Sequence, residues 1–166
     1  VAAALGGAPP ATDGWVAWDA QRWVAPMLAA QGDAPPLDDH WQHLDTERGV
    51  PQIDSALRDR FTPQMLSLQR LKAFSLSKGC YPGQEIVART HFLGQQKRAL
   101  YTLRAARALQ RGENVLGQTR SLGEVIQVSR LDPQLGLGVL TVDAQDAAPS
   151  LEDGSELQCL PAAMQG

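Results

Sequence analysis

The sequence predicts an α+β protein in two modules: an α+β module over residues 1–94 and a small antiparallel β-barrel over residues 95–166. Three observations predict it. Before Gly94, apolar residues recur at helical spacing behind proline or acidic starts. After it, short apolar runs alternate with glycine, proline or aspartate, the rhythm of an antiparallel sandwich or small barrel. With 166 residues, 43% hydrophobic and 20% charged, the chain is also long enough to bury a core.

Taken in order, residues 15–18 read as a short strand and residues 20–31 as a helix begun or broken near Pro26. Residues 32–36 form a loop, and a helix follows from residue 38 to about residue 46, its acidic start favoured by the helix dipole. The stretch 49–63 is irregular, with short helical patterns at 55–60 and again at 65–71. Pro82 suits a first helical turn, and Ile86, Val87 and Thr90 then share a face. Strands are predicted at 98–104, 113–116, 123–130, 136–142 and 156–160, with the module boundary near residues 94–97. Gly136-Leu137-Gly138 lies among strand residues and lacks the third glycine and following helix of a dinucleotide fingerprint.

The densest chemistry lies in Lys78-Gly79-Cys80-Tyr81-Pro82-Gly83-Gln84-Glu85. Cys80 falls just ahead of a helix N-terminus and beside the Lys78 ammonium, both of which favour thiolate over thiol. The plainer alternative is a small core cysteine beside a solvated lysine. His40 and His43 lie near Asp38 and Asp39, but no cysteine or third histidine accompanies them, so metal binding is the weaker reading. Cys80 and Cys159 make no case for a disulfide scaffold, and reduced thiols fit a cytoplasmic protein. A net charge of −3 argues against direct nucleic-acid binding. The chain has no apolar run of the roughly 20 residues that a membrane span needs, and its first residues lack the basic start of a secretory signal.

The string KGCYPGQEIVAR, running on to Gly94-Gln95-Gln96-Lys97-Arg98, resembles the signature of the YgfZ-type folate-binding proteins, relatives of the aminomethyltransferase (T-protein) of glycine cleavage. Two upstream segments fit the same pattern in order: Gly49-Val50-Pro51-Gln52-Ile53-Asp54 and Thr62-Pro63-Gln64-Met65. The resemblance implies a partial T-protein-like α+β module followed by a β-barrel, and a folate-binding N-terminal half that this chain, opening at Val1, lacks. It also implies a tetrahydrofolate ligand. Trp41 would contact the pterin, whose flat ring an indole can stack upon, and Glu47 and Arg48 would address folate's polar edges. Arg89, Lys97 and Arg98 would suit folate's anionic tail, and Gln84 and Glu85 would orient Lys78 or Cys80.

The function implied is a folate-dependent accessory protein in iron–sulfur cluster assembly or repair. It would affect tRNA modification only indirectly, with an iron–sulfur enzyme or assembly protein as partner. Two alternatives stand beside it: a folate-dependent aminomethyltransferase, and a non-catalytic interaction domain whose cysteine is structural. Whether the protein turns over a substrate is left open.

Overall fold

The computed structural model describes residues 2–5, 16–17, 22–25, 38–76, 83–94 and 96–162, which divide between two compact units, Val1–Asp39 and His40–Gly166. In the first unit, β1 (Ala2–Leu5), β2 (Val16–Ala17) and β3 (Arg22–Ala25) form an antiparallel sheet in the order β1-β3-β2. The strand at Val16–Ala17 is as read from the sequence, whereas the helix expected over residues 20–31 is replaced at its centre by β3. Two ladders account for this: Ala2–Leu5 and Val16–Ala17 each pair with β3, and such non-local pairing overrides a local helical pattern.

The second unit takes in α1 (Asp38–Glu47) from His40 onward, continues through turns to α2 (Gln84–Leu93), and ends in β4 (Arg98–Ala105), β5 (Asn114–Leu116), β6 (Ser121–Val128), β7 (Leu135–Thr141), β8 (Ser150–Leu151) and β9 (Leu157–Pro161). The six strands form one antiparallel sheet in the order β8-β5-β6-β7-β4-β9. Its edge strands, β8 and β9, are consecutive in the chain, and Ser150 bridges Glu156. The sheet thereby curls until its edges meet at one corner, as in a small barrel. The five predicted strands are present, and β8 is an addition too short to show a period.

Strand alternation sorts the side chains into two cores. Leu103, Val115, Leu122, Val125, Leu140, Leu151 and Leu157 fill the concave side. Leu100, Ile126, Leu137 and Val139 face the other way and pack with Leu57 and Leu66, while Phe61, Met65 and Leu68 lie against them. The central strand β7 is therefore buried on both faces. Its glycines are spacers: a Cβ on Gly138 would sit 2.7 Å from Leu103 Cδ1, and one on Gly136 2.8 Å from the Gln127 carbonyl.

The segment between α1 and α2 forms neither of the short helices expected at 55–60 and 65–71. It is a string of turns, broken by left-handed residues at Asp59 (φ 61°), Ser67 (φ 51°) and Lys72 (φ 51°). No helix continues through that conformation. The compensation is burial, because the turns direct Leu57 and Leu66 onto the outer face of the sheet.

Candidate functional site

Helix α1 is fixed to the barrel by polar bonds. Gln42 Nε2 donates to the Val128 carbonyl (2.9 Å), and Gln42 Oε1 accepts from Arg130 N (2.9 Å). Gln127 Nε2 donates to Thr46 Oγ1 (2.8 Å), Thr46 donates to the Gln42 carbonyl (2.8 Å), and Gln127 Oε1 accepts from Gln52 N (2.7 Å). Gln42, Thr46 and Gln127 are all buried, so each bond satisfies a group that water cannot reach. Trp41 is half-buried beside Gln42, and Glu47 is exposed at the end of the helix.

His43 is committed within this network. Ser129 Oγ accepts from the Leu131 and Asp132 amides (3.3 and 3.1 Å), so its own proton is directed to His43 Nδ1 (2.8 Å). That assignment leaves the Nε2 proton facing Glu47, 3.5 Å away. Among the described residues, no group of three or more histidine, cysteine, aspartate or glutamate side chains is arranged to hold a metal ion.

Helix α2 begins at Gly83, whose φ of 83° is a left-handed conformation that glycine adopts without strain. Gln84 is half-buried in the first turn. Glu85 and Arg89 are exposed one helical turn apart, an arrangement that places them on a common flank. Ile86 and Phe92 are also solvent-facing, 63% and 71% exposed. Phe61, Pro63, Met65, Gly83, Ile86 and Val87 border a shallow cavity of about 320 Å³ at the helix entrance. Lys78 and Cys80, the two residues predicted to carry the chemistry, lie outside the described residues, as does Pro82.

Arg98 is exposed at the start of β4, paired with Thr141 at the end of β7. Helix α1 docks beside Val128, whose partner on β7 is Gly136. From position 136 to position 141 a strand advances about 17 Å, so Arg98 and the α1 anchor occupy different ends of the barrel. Trp41, Glu47, Gln84, Glu85, Arg89 and Arg98 line neither the cavity at α2 nor the polar one of about 440 Å³ beside Gln64, Ser67, Gln69, Arg70 and Gln96. These six side chains are distributed over α1, α2 and the start of β4. The second cysteine has a settled environment: Cys159 is 7% exposed, and desolvation pushes its thiol up to about 12.

No family model matches the chain. Over 110 residues it is 45% identical to the tRNA-modifying protein YgfZ of Serratia proteamaculans (strain 568), an alignment covering 62% of this chain and 33% of that protein. The resemblance to YgfZ-type proteins is borne out. The chain spans about a third of the length of the curated relative it matches. None of the described helices is long and apolar enough to cross a membrane.

Sequence reading singles out the Pro63-Gln64 segment as a match but gives Gln64 no role, and it passes over Gln42, Thr46 and Gln127. The one signal for Gln127 is a lone amide inside the apolar run Val125-Ile126-Gln127-Val128. The bulge between Val125 and Gln127 turns that amide toward α1.

Proposed function

We propose that the protein is a tetrahydrofolate-dependent accessory factor in iron–sulfur cluster assembly or repair, acting on tRNA modification indirectly through cluster-dependent enzymes. The observation that carries this reading is the 45% identity to a protein named for tRNA modification, over a chain that holds the KGCYPGQE string. The net charge of −3 supports the indirect route, since a protein that gripped tRNA itself would need a basic face to displace phosphate counterions.

In this reading the module of residues 1–94 is T-protein-like and residues 95–166 form the barrel appended to it. Cys80 is the working thiolate and Lys78 the cation that favours its ionised form. Trp41 offers a stacking face for the pterin, with Glu47 at its polar edge, and Arg89 and Arg98 serve the anionic tail. Gln84 and Glu85, in the first turn of α2, orient the cysteine segment. One cysteine cannot by itself hold a cluster, which usually takes four protein ligands, so a cluster is cargo shared with an iron–sulfur partner.

The test is complementation. In a strain lacking its own YgfZ-type protein, the wild-type gene should restore the activity of a cluster-dependent tRNA-modifying enzyme. Cys80→Ala should not restore it, although the variant protein accumulates to the same level. Restoration by Cys80→Ala would remove the thiolate from the mechanism.

A further inference from the structure

The turn that holds Thr62, Pro63 and Gln64 lies between the barrel and the helix that follows the cysteine motif, and its side chains tie the two together. On the barrel side, Ser67 Oγ accepts from the Leu100 amide of β4 (3.1 Å), and Leu66, 5% exposed, is buried against the outer face of the sheet. The turn is closed internally by Leu66 N to the Thr62 carbonyl (3.2 Å) and Leu68 N to the Pro63 carbonyl (3.0 Å). On the helix side, Gln64 Nε2 donates to the Val87 carbonyl (2.8 Å), and Gln96 Nε2, just past the end of α2, donates to the Gln64 carbonyl (3.2 Å). Val87 N in turn closes the first turn of α2 on the Gly83 carbonyl (3.3 Å). One residue thus holds α2 at its first turn and beyond its last.

Stability alone does not account for a glutamine here. Gln64 is 6% exposed, and its Oε1 is buried with no hydrogen-bond partner, a loss that an apolar side chain of the same length would avoid. The Val87 carbonyl gains little, because α-helical geometry already offers it the amide four residues on, that of His91. What the Gln64 amide contributes is location. It fixes the first turn of α2 against a turn that is itself bonded to the rigid sheet.

We propose that Gln64 is a positioning residue that sets where α2 begins and, through Gly83, how the chain is presented at Cys80. The part concerning Cys80 rests on the reading of that cysteine as the working thiolate. Gln64→Met removes the donor and the orphaned oxygen while keeping the length of the side chain.

The unfolding midpoint of Gln64→Met should be unchanged or higher, and Cys159 should stay unlabelled by iodoacetamide in the folded protein. Hydrogen exchange at the Val87 amide should quicken while that at Leu103 and Val139 stays as in wild type. Cys80 alkylation at neutral pH should slow about tenfold, and its rate-versus-pH curve should move about one unit higher, the signature of a less stabilised thiolate. Gln64→Leu, which likewise cannot donate, should give the same pair of changes. Unaltered Val87 exchange and an unaltered Cys80 curve in a folded variant would overturn the proposal. So would collapse of both variants with Cys159 freely labelled, which would make Gln64 a core residue only. If wild-type Cys80 reacts no faster than Cys159, the thiolate reading fails by itself, and Val87 exchange still decides whether Gln64 holds the helix.

Discussion

The barrel and the turn-rich segment of residues 49–73 both carry buried apolar side chains but reach order by different means. In the barrel, ladder bonds satisfy the backbone, and Leu103, Val115, Leu122, Val125, Leu137, Val139 and Leu140 are all fully buried. In the segment, no ladder runs. Short-range turn bonds, such as Leu66 N to the Thr62 carbonyl and Leu68 N to the Pro63 carbonyl, share that work with side chains: Asp54 Oδ1 accepts from the Ala56 and Leu57 amides (3.0 and 3.2 Å), Thr62 Oγ1 from the Met65 amide (3.3 Å), and Arg70 donates to the Arg48 and Gly49 carbonyls. The barrel is thus a frame that stands on packing, and the segment is a connection that stands on individual hydrogen bonds and on the frame beneath it. Loss of one buried apolar side chain should damage the first everywhere, whereas loss of one polar atom should damage the second locally.

The largest expected effect tests the frame. Leu103 is fully buried between Gly138 and the inner core, and Leu103→Ala should cost about 2–5 kcal/mol through lost burial and the cavity left behind. Urea denaturation should show a lower midpoint with an unchanged slope, and the outer segment should unfold with the barrel. A segment that kept its exchange protection after the barrel had melted would break the comparison.

A smaller loss is expected where frame meets helix. Gln127→Leu deletes two of the bonds that anchor α1, the donor to the buried Thr46 Oγ1, which keeps only its bond to the Gln42 carbonyl, and the acceptor for Gln52 N. The cost should be about 1–3 kcal/mol. It should appear as faster exchange in α1 before any change in β7. Equal loosening of both would mean that α1 and the barrel form a single cooperative unit rather than a frame with an attached helix.

How much of the molecule is legible in its sequence follows the same division. The five strands predicted after residue 94 are readable because alternation and glycine punctuation are local, and Gly136-Leu137-Gly138 is strand as its neighbours indicate. β3 escapes a local reading because its partners, Ala2–Leu5 and Val16–Ala17, lie elsewhere in the chain. Residues 55–71 escape it because Asp59, Ser67 and Lys72 adopt a left-handed backbone that those residue types seldom signal. At the candidate site, the cysteine motif is visible as a pattern, but the start of α2 is displaced: the sequence places Pro82 in the first helical turn, whereas the cap is Gly83 and the helix begins at Gln84. Gln64 and Gln127 gain their roles only from partners 23 and 81 positions away, and no periodicity encodes those.

The smallest expected effect concerns the ion pair that ties the segment to the barrel, Asp54 with Arg111. The Arg111 side-chain hydrogen bond and charge, with the Ala56 and Leu57 amides, lower the Asp54 carboxyl to about 2, against some opposition from desolvation. A depressed folded-state pKa contributes stability above the unfolded value, near 3.9, and that contribution is lost as pH falls toward about 2. Glu113 and Asp153, both held low by Arg107, add to acid sensitivity in the same direction. Asp54→Asn keeps an oxygen for the two amides but removes the charge. Its melting temperature should therefore fall less steeply than that of wild type between about pH 4 and pH 2. Because the pair is exposed, the difference should shrink in high salt. Curves that stay parallel through that window would show that Arg111 does not hold Asp54. The segment would then depend on Leu57 and Leu66 packing against the sheet, and the distinction between bonded connection and packed frame would narrow accordingly.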